Sequence, residues 1–495
     1  MTAALPWVVL ALACAASATP SQTSNKHGSV WPEAINDLVY GPSWPNFVNK
    51  TQRWSTYDAP TFDLVFLPET EEELSQGLQF MSKNQIPWLV AKAGGHGYSA
   101  TLEIVQDAVM INMEKFNYAK LNTDNGLTVG GGASFRDLTA AAAAGGRELT
   151  IGSCPCVGAT GAMLGGGVGR LQGLHGLTSD AVRDVRLALW NGTIIDVSAD
   201  SHPDLFWGMR GAGQNFGIVI ETTFETWPAT NGGLQYDAFM TFSADSVEPV
   251  IEAMNSLFPV NPNLALVILF AINAETLEPF IAIDLVYSGP AEEGQKYTQQ
   301  FANYSMGLME EMIRWEDLGD KSAGGAIMAK CLNGQSHSMW DSITADVDVP
   351  TFSELLTSFG TLVAKNPGLV NSTVLLEIFG QQGIDAHPAN FSAFPHRGEL
   401  NNMVAIEMAY TDDSLKALSD DWARSWRDRI SFPAVGGYSP AIQYQNYAHG
   451  DEPLSNLYGT QKWRQRRLTD LKRRYDPHGF FNGYHAVPRD VADWN

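Results

Sequence analysis

The sequence predicts an α+β protein in two parts: a glycine-rich half of short strands and helices, then an antiparallel sheet backed by helices. Three observations predict it. Short apolar runs alternate with segments of helical period between residues 57 and 229, and these two periodicities separate strands from helices. Beyond residue 230 the apolar runs lengthen, as in LQYDAFMTF, LALVILFAI, FIAIDLVYSG, TVLLEIFGQQG and NMVAIEMAY, with helices expected between them at 246–257 and 293–314. Long half-buried strands of this kind pair antiparallel and carry helices on one face. Finally, three glycine clusters fall in the first half: Gly94-Gly95-His96-Gly97, Gly130-Gly131-Gly132, and GSCPCVGATGAMLGGGVG from Gly152 to Gly169.

The elements follow in order. Phe62 to Leu67 reads as a strand, and Thr70 with Glu73 makes a capping box ahead of Leu74, Leu78 and Met81 at helical spacing. Pro87 to Ala91 reads as a second strand entering the first glycine cluster, and 109–113 and 127–132 as two more. Ser134 caps a helix through the alanines at 139–144. The segment VRLALWNGTIIDVS reads as a hairpin, with Asn191-Gly192 supplying the two positive φ angles of a type I′ turn. HPDLFWGMRGAGQNFGIVIETTFETW reads as helix, glycine turn and strand. Residues 450–487 read as a basic helix ending in RRYDPHGFFNGYH.

Composition limits the function. With 44% apolar and 17% charged residues, the 495-residue chain is globular and long enough for two or three domains. A formal net charge of −23 excludes nucleic acid as a partner, which needs a basic stripe, and equally excludes docking on anionic lipid. The opening MTAALPWVVLALACAASATPSQ carries an apolar run from Trp7 to Cys14, then Ala16-Ser17-Ala18. Residues 1–18 are therefore expected to be a cleaved signal peptide. The alternative is an uncleaved anchor, for which the run falls short of the ~20 residues that span a bilayer. Asn49, Asn191, Asn303, Asn371 and Asn390 each open a glycosylation sequon, in keeping with a secreted glycoprotein. Once Cys14 leaves with the leader, Cys154, Cys156 and Cys331 remain, an odd set that gives at least one sulfur a task outside an internal disulfide.

Backbone N–H groups unobstructed by side chains form anion-binding nests, so three glycine clusters near strand ends imply an extended, diphosphate-bearing ligand. GGGVGRL and GAGQNFG do not match G-x-G-x-x-G with an acidic residue about 20 positions on, which excludes a Rossmann unit, and no Gly-Lys-Ser/Thr P-loop is present. His96 sits where the backbone makes its closest approach. It is either a hydrogen-bonding loop imidazole or a nucleophile bonded to a cofactor ring. No second histidine or carboxylate stands at ligand spacing, so no metal site is expected.

AKAGGHGYS, GSCPCVGATGAMLGGGVGRLQGLHGLTSD and DLFWGMRGAGQNFGIV together resemble the FAD-binding domain of the vanillyl-alcohol-oxidase superfamily. YQNY at 444–447 and YGTQKWRQRRLTDLKRRYDPHGFF at 458–481 resemble the C-terminal segment of its berberine-bridge-enzyme-like oxidases, in their secreted fungal form. The resemblance implies an FAD-binding domain at 57–229, a substrate-binding domain at 230–449, and a segment at 450–495 that returns to the first. It implies FAD bonded through its 8α-methyl to His96, with Gly94, Gly95, Gly97, Tyr98 and Ser99 around it. It places Gly158, Gly161, Gly165, Gly166, Gly167 and Gly169 on the cofactor, and likewise Gly217 and Val219. Cys154 falls in register for a second link to flavin C6, which leaves Cys156 and Cys331 to pair or stay free; a disulfide through Cys154 is the alternative.

The resemblance also implies a catalytic base, from a tyrosine of the Tyr-x-Asn-Tyr region or a glutamate on a neighbouring strand. Counting from Phe394-Pro-His-Arg397, the glutamate position falls on Met403, and Glu407 stands four residues, ~13 Å, further along the same face. The expected candidates are therefore Tyr447 and Tyr444, whose phenols would need a pKa below the usual value of about 10. The activity implied is an FAD-dependent oxidase that removes a hydride from an alcohol or amine carbon of a small secondary metabolite, with O2 as acceptor. The alternatives are a carbohydrate oxidase, a dehydrogenase with another acceptor, and a binding protein that keeps the fold without the chemistry.

Overall fold

The computed structural model describes residues 31–86 and 89–494, so the expected leader at 1–18 and Pro87 lie outside the described residues. Among the described residues the first half holds two larger sheets and a two-stranded pairing of Arg147–Glu148 with Trp227–Pro228. In one, Phe62–Phe66, Ala108–Asn112 and Leu89–Lys92 run parallel, and Val39–Tyr40 pairs antiparallel at the edge. Thr70 and Glu73 form the expected capping box at the start of the helix Glu71–Lys83, whose Leu74, Leu78 and Met81 are buried. Gly77 lets this helix lie against the sheet, because a Cβ there would overlap the Phe66 ring.

The second sheet is antiparallel, in the order Ala119–Leu121, Leu127–Gly130, Ile218–Phe224, Val182–Ala188, Ile194–Ser198. Its last two strands form the expected hairpin with a different turn. Only Gly192 takes a positive φ, +80°, while Gly192 N–H donates to the Leu189 carbonyl at 2.9 Å and Leu189 N–H to Thr193 at 2.8 Å. A three-residue loop of this kind needs one left-handed residue, where a type I′ turn needs two.

The second half is one seven-stranded antiparallel sheet, ordered Gly307–Arg314, Leu234–Ser243, Pro279–Tyr287, Leu264–Ile272, Thr373–Phe379, Asn402–Tyr410, Ser336–Thr344. Alternate residues such as Leu266, Ile268, Leu376 and Ile406 point into a core roofed by Val247–Asn255, Val349–Lys365 and Lys416–Ser431. Two strands depart from expectation. The helix expected over 293–314 stops at Phe301, and Gly307–Arg314 pairs with Leu234–Ser243 as an edge strand. Ser305-Met306-Gly307 interrupts the helical run, and sheet pairing overrides the helical preference of the Met- and Glu-rich residues beyond it. SHSMWDSIT carries no apolar alternation, yet Ser336–Thr344 is buried along its whole length at the opposite edge.

The basic C-terminal segment forms two helices, Leu454–Tyr458 and Lys462–Tyr475, separated at Gly459 by a φ of +90°. Lys472 is fully buried with Asp476, Nζ to Oδ2 2.7 Å, and reaches the Asn215 carbonyl at 3.3 Å, which ties this segment to the glycine-rich half.

Candidate active site

The free face of the large sheet looks toward the glycine-rich half, where Val168 and Leu177 pack with Ala265, Val267 and Met403. Gly94 and Gly158, 64 residues apart in the chain, lie back to back: a Cβ on Gly94 would stand 2.5 Å from the Gly158 nitrogen. Gly165 and Gly169 are required by the chain itself, since a Cβ would overlap the Asn446 amide and the Ile151 carbonyl respectively. Gly166 and Gly167 take φ values of +124° and +82°, and Gly217 abuts the Ala188 carbonyl. Val219 is buried within the five-stranded sheet. Tyr98 and Ser99 fasten their loop to the YQNY region, donating to the carbonyls of Asn446 at 2.7 Å and His449 at 3.1 Å. Gly161 differs from all of these. It is exposed on the helix Ala159–Leu164, and a Cβ there would meet no atom within 4 Å.

His96 is half-buried in this cradle. Burial, reinforced by Arg53 and His337, lowers its pKa to about 4, so the imidazole is neutral at pH 7 and keeps a free electron pair. Arg53 donates to the Gly97 carbonyl and so holds the loop that carries the ring. Trp54 stacks on His96 with ring centroids 5.4 Å apart and on His337 at 4.1 Å. Its buried indole N–H has no partner among the described residues. Beyond His337 stands Glu407, which accepts from His337 Nδ1 at 2.9 Å and from Lys330 Nζ at 2.8 Å. Burial alone would raise its pKa, but Lys330 and His337 outweigh burial and hold it at about 2.

The three cysteines meet beside this group. Cys156 pairs with Cys331 across 175 residues, and Cys154 is left as a thiol. Cys154 therefore stands outside the disulfide, against the alternative in which it enters one. Burial pushes the thiol up to about 11, while Lys330 and Glu407 act on it in opposite directions.

The tyrosines behave differently from expectation. Tyr444 is buried, and its hydroxyl accepts from the N–H groups of Gly167 at 3.0 Å and Val168 at 3.4 Å. It braces the glycine turn, and burial pushes its pKa up to about 12. Tyr447 is raised well above the phenol range, by burial and by the Glu377 carboxylate to which it donates at 2.9 Å. Neither phenol is a base by virtue of a lowered pKa, because burial raises both and Tyr447 also faces an acid.

Glu377 is the group that sequence reasoning missed. Met403 sits at the expected glutamate position, and Glu377 is its direct cross-strand partner on Thr373–Phe379. One row across the sheet reads Asp284, Val267, Glu377, Met403, Ile343. Burial raises Glu377 to about 7, against the lowering effects of Tyr447 and Arg170. A lone acid inside the apolar run TVLLEIF was the signal in the sequence; buried acids are rare without a purpose or a partner. Glu407, on the same strand as Met403, is engaged by Lys330 and His337.

The donor set fits FAD. A glycine cradle open at Gly161, a neutral imidazole, an unpaired thiol and an unsatisfied indole N–H converge on one face. Residues 62–198 match the family model for the FAD binding domain. The chain is 32% identical to the FAD-linked oxidoreductase OXR1 of Pyricularia oryzae over 455 residues, 90% of this chain and 88% of that protein. It is also 32% identical to the FAD-linked oxidoreductase azaL of Aspergillus niger over 456 residues, 90% and 94% of the two chains. Among solved structures, a chitooligosaccharide oxidase superposes with a TM-score of 0.77 at 19% identity, covering 92% of this chain and 99% of that one. Berberine bridge enzyme from Eschscholzia californica superposes at 0.75 with 18% identity, covering 92% and 98%. At these identities the superpositions show a shared fold. The full-length matches establish more: this chain belongs to the fungal FAD-linked oxidoreductases, built on the fold of the berberine-bridge-enzyme-like oxidases.

Proposed function

We propose that the chain is an oxidase that removes a hydride from an alcohol or amine carbon of a small, largely apolar organic molecule, with O2 as the final acceptor. The Tyr447–Glu377 pair carries this reading. Bound FAD supplies the two-electron acceptor. Tyr447 takes the substrate's hydroxyl or amine proton while passing its own to Glu377, whose pKa of about 7 lets it receive a proton at neutral pH. His96, neutral and held by Arg53 and Trp54, is the proposed attachment point for the 8α-methyl, and Cys154 the second.

The surroundings of Glu377 favour an apolar substrate over a sugar. Val267, Phe379, Met403, Ile343 and Tyr444 form one hydrophobic cluster on this face of the sheet, with Leu269 and Leu375 against it. Trp and Tyr side chains that would stack on sugar rings are sparse in these strands. The secretory route expected from the leader gains support from the five sequon asparagines, all exposed. A panel of aromatic and alicyclic alcohols and amines, read by peroxide release under air, tests the activity. Reduction of the flavin without peroxide release would point to a dehydrogenase, and oxidation of oligosaccharides in preference to the panel would reverse the substrate class.

A further inference from the structure

Three sulfurs lie closer together than a disulfide and a bystander require. Cys154 Sγ stands 3.3 Å from Cys156 Sγ, and all three sulfurs fall within 4.8 Å of one another. A disulfide bond is about 2 Å long, so Cys154 needs to advance by only about 1 Å to reach bonding distance of Cys156. The Cys154 and Cys156 backbones belong to one turn, with Val157 N–H donating to the Cys154 carbonyl at 3.3 Å. Cys331 arrives from the far end of the segment Ala323–Cys331, next to Lys330, whose ammonium is bonded to Glu407.

We propose that Cys154, Cys156 and Cys331 form one thiol–disulfide exchange site, in which Cys331, by holding Cys156, decides that Cys154 is the sulfur presented as a thiol. In the exchange the Cys154 thiolate attacks Cys156 Sγ. The Cys154–Cys156 bond forms as the Cys156–Cys331 bond breaks, the electron pair leaves on Cys331 Sγ, and Cys331 takes up the proton that Cys154 gave up. No oxidant or reductant is consumed. Attack on Cys331 Sγ instead yields a Cys154–Cys331 bond and a Cys156 thiol by the same balance. Either product removes Cys154 from modification, and the first also unties the segment that positions Lys330. The consequence for the cofactor rests on the flavin attachment at Cys154 proposed above; the exchange does not.

Thiolate is the attacking species, and burial holds the Cys154 pKa near 11, so exchange is slow at neutral pH and gains tenfold per pH unit. In full-length wild-type chains whose Cys154 is a thiol, acid quenching, maleimide labelling and non-reducing peptide mapping should show label at Cys331 or Cys156 as well as Cys154. The approach to that distribution should be about 100-fold faster at pH 9 than at pH 7. Label confined to Cys154 at both pH values would overturn the proposal. The second arm uses C331S and C156S, each treated with glutathione disulfide as the oxidant. C331S should form a Cys154–Cys156 bond and C156S a Cys154–Cys331 bond, and flavin mass should be missing from the Cys154 peptide while retained on the His96 peptide. Two surviving thiols in either variant, or flavin on Cys154 at the wild-type level, overturns it. Alternative disulfides in the variants together with a wild-type Cys154 that carries no flavin would keep the exchange site and discard the attachment.

Discussion

The Tyr447 hydroxyl donates to Glu377 Oε2 at 2.9 Å, joining a loop residue to a strand residue 70 positions earlier. Glu377 is buried and Tyr447 half-buried, and burial puts the Glu377 carboxyl at about 7. That combination is what the proposed proton relay requires.

Anaerobic flavin reduction by substrate should therefore rise with pH and level off above about 7, as Glu377 ionises. E377Q should remove that inflection and slow reduction by about 10²-fold or more, the usual contribution of a positioned base. Y447F should produce a similar loss. An E377Q rate within twofold of wild type at pH 8 would assign the proton to another group.

The same carboxyl has a stability consequence of opposite sense to a salt bridge. Its folded pKa lies above the unfolded value, so the native state holds the proton more tightly, and stability falls as pH rises from about 4.5 to about 7. E377Q should therefore raise the melting temperature at pH 8 and leave it nearly unchanged at pH 4.5. Differential scanning fluorimetry on the flavin-loaded protein reads this without any substrate.

Glu407 works in the other direction. Its folded pKa of about 2 lies below the unfolded value, so the stability it contributes is present above about pH 4.5 and is lost as pH falls toward 2. E407Q keeps one acceptor oxygen for two donors, so either His337 Nδ1 or the Lys330 ammonium meets an NH2 group, and the ammonium loses its counter-charge. Breaking one side of a buried ion pair costs about 3–5 kcal/mol, and the half-exposed position of Lys330 puts the expected loss at or below the lower end. Urea unfolding at pH 7 measures it.

Acid-precipitated wild type should stay yellow, with flavin mass on the His96 peptide. In H96A the mass should survive only on the Cys154 peptide, and H96A/C154A should precipitate colourless. Tryptic peptide mass spectrometry separates the three cases.

Gly161 and Gly94 distinguish cofactor contact from chain packing. In G161A the new methyl meets no protein atom within 4 Å. Alanine in a helix also improves on glycine by roughly 0.5–1 kcal/mol, so the flavin-free chain should be no less stable. Its flavin content should nevertheless fall. G94A pushes a Cβ into the backbone of Gly158 and should lower both flavin content and stability.

Much of the fold was legible because its signals lie between neighbours in the chain. The Thr70–Glu73 capping box, the period-two runs of the large sheet and the glycine clusters each announce themselves within a few residues. The edge strands were not legible for the same reason. Gly307–Arg314 has the composition of a helix and becomes a strand only because Leu234–Ser243 offers it hydrogen bonds. Ser336–Thr344 has no hydrophobic alternation to read, since polar side chains such as His337 and Asp341 are buried there against distant partners.

The candidate site divides along the same line. By itself the sequence determined that His96 stands in a glycine loop and that an odd number of cysteines follows the expected leader, while the family resemblance put Met403 where an acid was expected. Those are properties of local spacing and of parity. Only the tertiary structure decided that Glu377 stands beside Met403, that Cys331 takes Cys156 and leaves Cys154, and that burial raises both tyrosines. Strand register and desolvation arise when separate segments are brought together, some of them 70 and 175 residues apart, and neither has a counterpart in the linear order of residues.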